Sequence, residues 1–110
     1  MSVPLYQAKA EFFRTLGHPA RIRILELLAD RDHAVHELLE VITIEASNLS
    51  QQLAVLRRTG LVASQRQSGE VIYSISAPEV RDLLVSARQI IRGIAATRSD
   101  FEDELETTPR

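Results

Sequence analysis

Thr43-Ile44-Glu45-Ala46-Ser47-Asn48-Leu49-Ser50-Gln51-Gln52-Leu53-Ala54-Val55-Leu56-Arg57-Arg58 is the stretch on which the fold turns. Its first residues read as a turn and the remainder as a helix with Leu49, Leu53 and Leu56 on the inner face. Opposite that face the sequence sets Ser47, Asn48, Ser50, Gln51 and Gln52, all short or amide side chains. Arg57 and Arg58 close the helix, where cations suit the negative end of the helix dipole. Gly60 stands just past the end, where a left-handed residue commonly stops a helix.

Upstream, Val35, Leu38, Leu39 and Ile42 follow the i, i+3, i+4, i+7 pattern of a short helix. A short helix, a tight turn and a second helix with a polar outer face make a helix-turn-helix. A second helix that enters the major groove must carry small or amide groups outward, because bulky ones would hold it off the groove floor. Asparagine and glutamine pair with adenine N6 and N7 there, and each good pair discriminates by roughly 1–3 kcal/mol. Arg57 and Arg58 are better placed for phosphate than for bases. An amphipathic helix whose polar face is merely solvated would show the same pattern, so the neighbouring elements decide.

Downstream, Leu61-Val62 to Arg66 and Val71 to Ile75 read as two strands, with Gln67-Ser68-Gly69-Glu70 as a four-residue hairpin connection. Arg66 and Gln67 would then reach a flanking backbone or minor groove as a wing does. Further out, Pro4 starts a first helix with the stripe Leu5, Ala8, Phe12 and Leu16, ending near Gly17. Pro19 opens a second, in which Ile22, Leu25 and Leu28 are expected to be buried, with Asp30-Arg31-Asp32 as the break. Pro78 opens the last helix, where Val80, Leu84, Ala87, Ile91 and Ile94 recur at spacings of four and three, widened by Leu83 and Ile90. That stripe exceeds what one small domain needs and predicts a partner helix.

The expected fold is mainly α with a β-hairpin wing, α-α-α-α-β-β-α, in one domain over residues 1–99. Residues 100–110 read as an acidic, flexible tail. Asp100, Glu102, Asp103, Glu104 and Glu106 against Arg110 give the tail −4, so the chain's net −2 leaves +2 on residues 1–99. Twelve of the thirteen cations are arginines, whose planar fork suits phosphate and bases. With 45% apolar and 25% charged residues, the composition is that of a soluble globular protein. The chain has no cysteine, which removes disulfides, thiolate metal sites and cysteine nucleophiles together. No signal peptide and no membrane-spanning run is visible, so a cytoplasmic protein without membrane association is expected. There is no Gly-rich phosphate loop and no paired-carboxylate site, so no enzyme is expected.

Pro19-Ala20-Arg21-Ile22-Arg23-Ile24-Leu25, Ser47 to Arg57, Gly60-Leu61-Val62 and Val71-Ile72-Tyr73, in that order, resemble the ArsR/SmtB repressors. The resemblance spans roughly residues 8–95 and implies a winged helix-turn-helix homodimer. Such a dimer pairs through its first and last helices, binds double-stranded operator DNA, and is usually released by a metal ion or another inducer. On that reading Leu5, Ala8 and Phe12 complete an interface with Val80, Leu84, Ala87, Ile91 and Ile94.

The family's metal sites do not carry over. Members that sense soft metals carry Cys-x-Cys at the start of the third helix, where this sequence has Ala34-Val35-His36. Those that bind metal on the last helix use Asp, His, His and a further His or Glu, matched here by Ala77, Glu79, Ile90 and Gly93. Glu70 also stands where the wing tip usually carries a cation. What remains is His33 and His36, an i, i+3 pair at a helix start, with Glu37 beside them and His18 as a further candidate; nickel or zinc is the expected ion if one binds. Two readings therefore stand beside the operator-binding regulator with an unidentified inducer. One is a metal-responsive regulator using these histidines. The other is a winged-helix interaction module that has lost specific DNA binding, favoured by Glu70 and the acidic balance.

Overall fold

The computed structural model describes residues 2–107, with side chains described for residues 2–99. Its elements run α1 (Leu5–Leu16), α2 (Pro19–Asp30), β1 (His33–Ala34), α3 (Val35–Val41), α4 (Ala46–Arg58), β2 (Val62–Gln67), β3 (Glu70–Ile75) and α5 (Glu79–Thr107). Two units divide the chain, residues 1–80 and 81–110.

In the first unit α2 packs on α4 and β3, and α4 on β2. The core is aliphatic: Leu16 from α1, Ile24, Leu25 and Leu28 from α2, Leu38 from α3, and Leu49, Leu53 and Leu56 from α4. Ile42, Leu61 and Val62 close it. Ile22, expected inside, is only half-buried, and Ile24 takes its place. Truncating a buried leucine of this kind to alanine typically costs about 2–5 kcal/mol, so this small core tolerates little loss.

Local chemistry sets the helix ends. The His18 imidazole caps α2, its Nδ1 accepting the Ala20 N–H at 3.2 Å, and Pro19 follows at the first helical position. At the end of α4, Gly60 N–H donates to Arg57 O at 3.1 Å and Leu61 N–H to Leu56 O at 3.0 Å. Gly60 has φ +83°, so this is a Schellman stop. It turns the chain directly into β2.

The hairpin differs from the expected one. Gln67 pairs with Glu70, so the connection is the two residues Ser68-Gly69 rather than four. Both have positive φ, 51° and 81°, as a type I′ turn requires. The right-handed twist of the strands selects such a turn and lets pairing run one residue further on each strand. The sequence pattern does not announce β1 either. His33 pairs with Tyr73 and Ala34 with Ile72, which makes an antiparallel sheet of order β1-β3-β2. A two-residue strand carries no alternation of its own, and the free edge of β3 is what recruits it.

The second unit is the remainder of α5. This helix runs to Thr107, beyond Ser99, after which the sequence pattern predicts a flexible tail. The side chains of 100–110, and the backbone of 108–110, lie outside the described residues. Val85, Ile90, Ile91 and Ile94 are exposed large apolar residues of this unit, and Leu83 and Leu84 are half-buried. In the first unit Leu5, Tyr6 and Phe13 of α1 are likewise exposed. Val80, expected in a dimer seam, is only 3% exposed and belongs to the core of its own chain. Among the described residues, no helix is long and apolar enough to cross a membrane.

Candidate nucleic-acid interface

α3 and α4, joined by residues 42–45, form the helix-turn-helix, and β2–β3 follow it as the wing. Leu38 anchors α3 to the core, while Leu49, Leu53 and Leu56 bury one side of α4. The burial of those three leucines determines which side chains α4 leaves outside. Ser47, Ser50 and Gln51 are exposed, and Asn48 is half-buried at the edge of the same face. Arg57 and Arg58 are exposed at its last turn, and Arg66 and Gln67 near the wing tip.

Gln52 is the exception. Expected on the outer face, it is only 8% exposed. Its Oε1 accepts from Arg21 Nε at 2.8 Å, and its Nε2 donates to Asn48 Oδ1 at 2.9 Å. Arg21 in turn donates through Nη1 to Thr15 O at 3.0 Å, satisfying a carbonyl in the last turn of α1. The polar stripe of α4 points to neither Arg21 nor this role for Gln52. A signal does exist: Gln52 lies three residues after Leu49 and four before Leu56, which puts it on the inner edge of the helix.

The histidines are placed separately. His33 lies in β1, not on a helix, and is 6% exposed. Its Nδ1–H donates to Arg31 O at 2.8 Å, since a carbonyl can only accept. His36 lies in α3 with its Nδ1 3.2 Å from Glu70 Oε1 at the wing tip, both side chains more than half exposed. The helical i, i+3 pair expected of them is therefore not formed. His18 is occupied as a cap. Glu37 is occupied too, its Oε1 accepting Ala34 N–H and its Oε2 accepting Arg31 Nη2, both at 2.9 Å. Among the described residues, no group of three or more histidine and carboxylate side chains could hold a metal ion. Glu70, the departure at the wing tip, has the His36 imidazole beside it.

A helix-turn-helix with an exposed polar second helix and an adjoining β-hairpin defines a winged helix-turn-helix DNA-binding protein. Residues 18–64 match the family described as Bacterial regulatory protein, arsR family. The HTH-type transcriptional regulator Rv0081 of Mycobacterium tuberculosis is 56% identical over 105 residues, covering 94% of this chain and 92% of that one. The crystal structure of M. tuberculosis Rv0081 superposes with a TM-score of 0.82, covering 89% of this chain and 99% of that one. The transcriptional repressor BigR from Xylella fastidiosa gives 0.72 at 30% identity, over 77% and 87% of the two chains. The homodimeric winged helix-turn-helix DNA-binding domain of Mb0332 from Mycobacterium bovis gives 0.71 at 25%, over 80% and 82%. The chain belongs to the arsR family and is a DNA-binding transcriptional regulator of the ArsR/SmtB type, whose members bind operator DNA as homodimers.

Proposed function

We propose that this regulator is a repressor that reads its operator with Ser47, Asn48, Ser50 and Gln51. In this reading Arg57, Arg58, Arg66 and Gln67 hold the phosphate backbone on either side. The observation that carries it is the exposed polar face of α4, set by the burial of Leu49, Leu53 and Leu56. Two copies, paired through the exposed apolar residues of α1 and α5, would present two such faces to half-sites about one DNA turn, roughly 34 Å, apart. Pairing also matters electrostatically. With +2 on residues 1–99, a single subunit neutralises few phosphates and binds weakly at physiological salt. The repressor role is supported by the likeness to BigR, named as a transcriptional repressor. The same reading makes the chain a cytoplasmic protein that acts by binding rather than by catalysis.

The test is a fluorescence-anisotropy titration of the purified chain against duplexes tiled across the DNA upstream of its own gene, at moderate salt. Saturable binding of one duplex at least about tenfold tighter than random duplex is expected. Equal affinity for all duplexes would favour the interaction module instead. Repeating the titration with nickel or zinc, on wild type and His36→Ala, tests metal release.

A further inference from the structure

The amide of Asn48 has its direction imposed on it from α2. Arginine carries only donors, so Arg21 Nε must face an acceptor, and Gln52 must therefore turn Oε1 toward it. The glutamine amide is planar, so Nε2 then faces the other way, toward Asn48. That nitrogen is a donor, and Asn48 can meet it only with Oδ1. The reverse orientation of Asn48 would set N–H against N–H. Thr15 O holds Arg21 at the far end, and Gln52 is buried, so water does not readily substitute for either partner. A four-residue chain of hydrogen bonds thus leaves Asn48 with its Nδ2 donor pointing away from the protein's own partner.

We propose that Arg21 and Gln52 are positioning residues for base recognition, locking Asn48 as a reader that presents a donor to the major groove. This rests on the operator-reading function proposed above. The base edges that accept such a donor are guanine N7 and O6, adenine N7 and thymine O4. Cytosine offers only its N4 amino donor and is rejected at the base Asn48 reaches. The chemical distinction is acceptor against donor, and the relay sets its sign. Gln52 touches no base in this role; its effect on sequence preference passes through Asn48.

The experiment is selection from a randomised duplex pool by the full-length chain, followed by base counts at each position. The position read by Asn48 is the one whose preference Asn48→Ala abolishes. There wild type is expected to disfavour cytosine by about 5- to 150-fold. Gln52→Glu keeps an acceptor for Arg21 but faces Asn48 with an acceptor as well. Asn48 then turns Nδ2 inward and Oδ1 outward, and cytosine becomes an accepted base. The double variant with Asn48→Ala should match Asn48→Ala alone. A structural role for Gln52 would lower affinity for all sequences alike and would not move this preference. Should Gln52→Glu fail to fold, Gln52→Met frees Asn48 to take either orientation and flattens the preference at that position only. Wild type that selects cytosine there, or a Gln52→Glu that still rejects cytosine, overturns the relay and leaves the proposed function standing. Wild type that selects no sequence at all overturns both.

Discussion

Arg31 Nη2 donates to Glu37 Oε2 at 2.9 Å, and the other oxygen of that carboxylate accepts the Ala34 N–H that opens α3. One side chain thereby ties the end of α2 to the start of the helix-turn-helix. The hydrogen bond from Arg31 is the main reason the Glu37 carboxyl falls from its ordinary 4.5 to about 2, and the Ala34 N–H adds to it. A pKa depressed in the folded state contributes stability above the unfolded value and loses it as pH falls through the folded one. The Glu37 contribution is therefore complete above about pH 4.5 and disappears toward pH 2. Thermal unfolding of wild type and Glu37→Gln should differ at pH 7 and converge across that window. Both partners face solvent, so the difference should also narrow in high salt. A gap independent of pH would mean that the ion pair contributes nothing.

The stop at Gly60 offers a second check. A Cβ there meets nothing within 4 Å, so the whole cost of Gly60→Ala is the left-handed φ of +83°. That cost is about 1–2 kcal/mol, or a fall of roughly 4–8 °C in melting temperature for each kcal/mol. Circular dichroism would measure it. Gly60→Asn should lose less, because asparagine tolerates this region better than alanine. Equal melting of all three would show that the Schellman turn is not what ends α4.

Arg57 is exposed at the last turn of α4, so Arg57→Ala should leave folding intact while weakening binding to every duplex. Each phosphate that a subunit no longer neutralises lowers the slope of log K against log salt by about 0.9, hence about 2 per dimer. Sequence preference should be unchanged. An altered base preference with an unaltered salt slope would move Arg57 from the backbone to a base.

The apolar residues of α5 can be tested without DNA. Ile91 is 65% exposed in the single chain, so Ile91→Glu disturbs no core of its own. Sedimentation equilibrium should show the wild type at twice 12.3 kDa and the variant at 12.3 kDa. Loss of the second subunit should weaken operator binding by roughly 10²-fold or more, since the two half-sites are no longer engaged together. A variant that stays dimeric would place the interface elsewhere.

The helices, the reading face and the wing are legible in the sequence because each is a periodic or local signal. Leu49, Leu53 and Leu56 recur at helical spacing and expose Ser47, Ser50 and Gln51 whatever the rest of the chain does. Pro19 and Gly60 announce a helix start and stop by their own backbone chemistry. The tertiary structure decides what depends on partners distant in the chain. β1 exists because β3 has an edge to pair, and its formation takes His33 off the helix where a metal pair is expected from spacing alone. Val80 is core rather than seam because its own chain covers it. Gln52 faces inward because Arg21, thirty-one residues earlier, supplies a donor that no periodicity records. Periodicity tells which side of a helix is wet; only packing against another helix tells which polar group at the boundary finds a partner there.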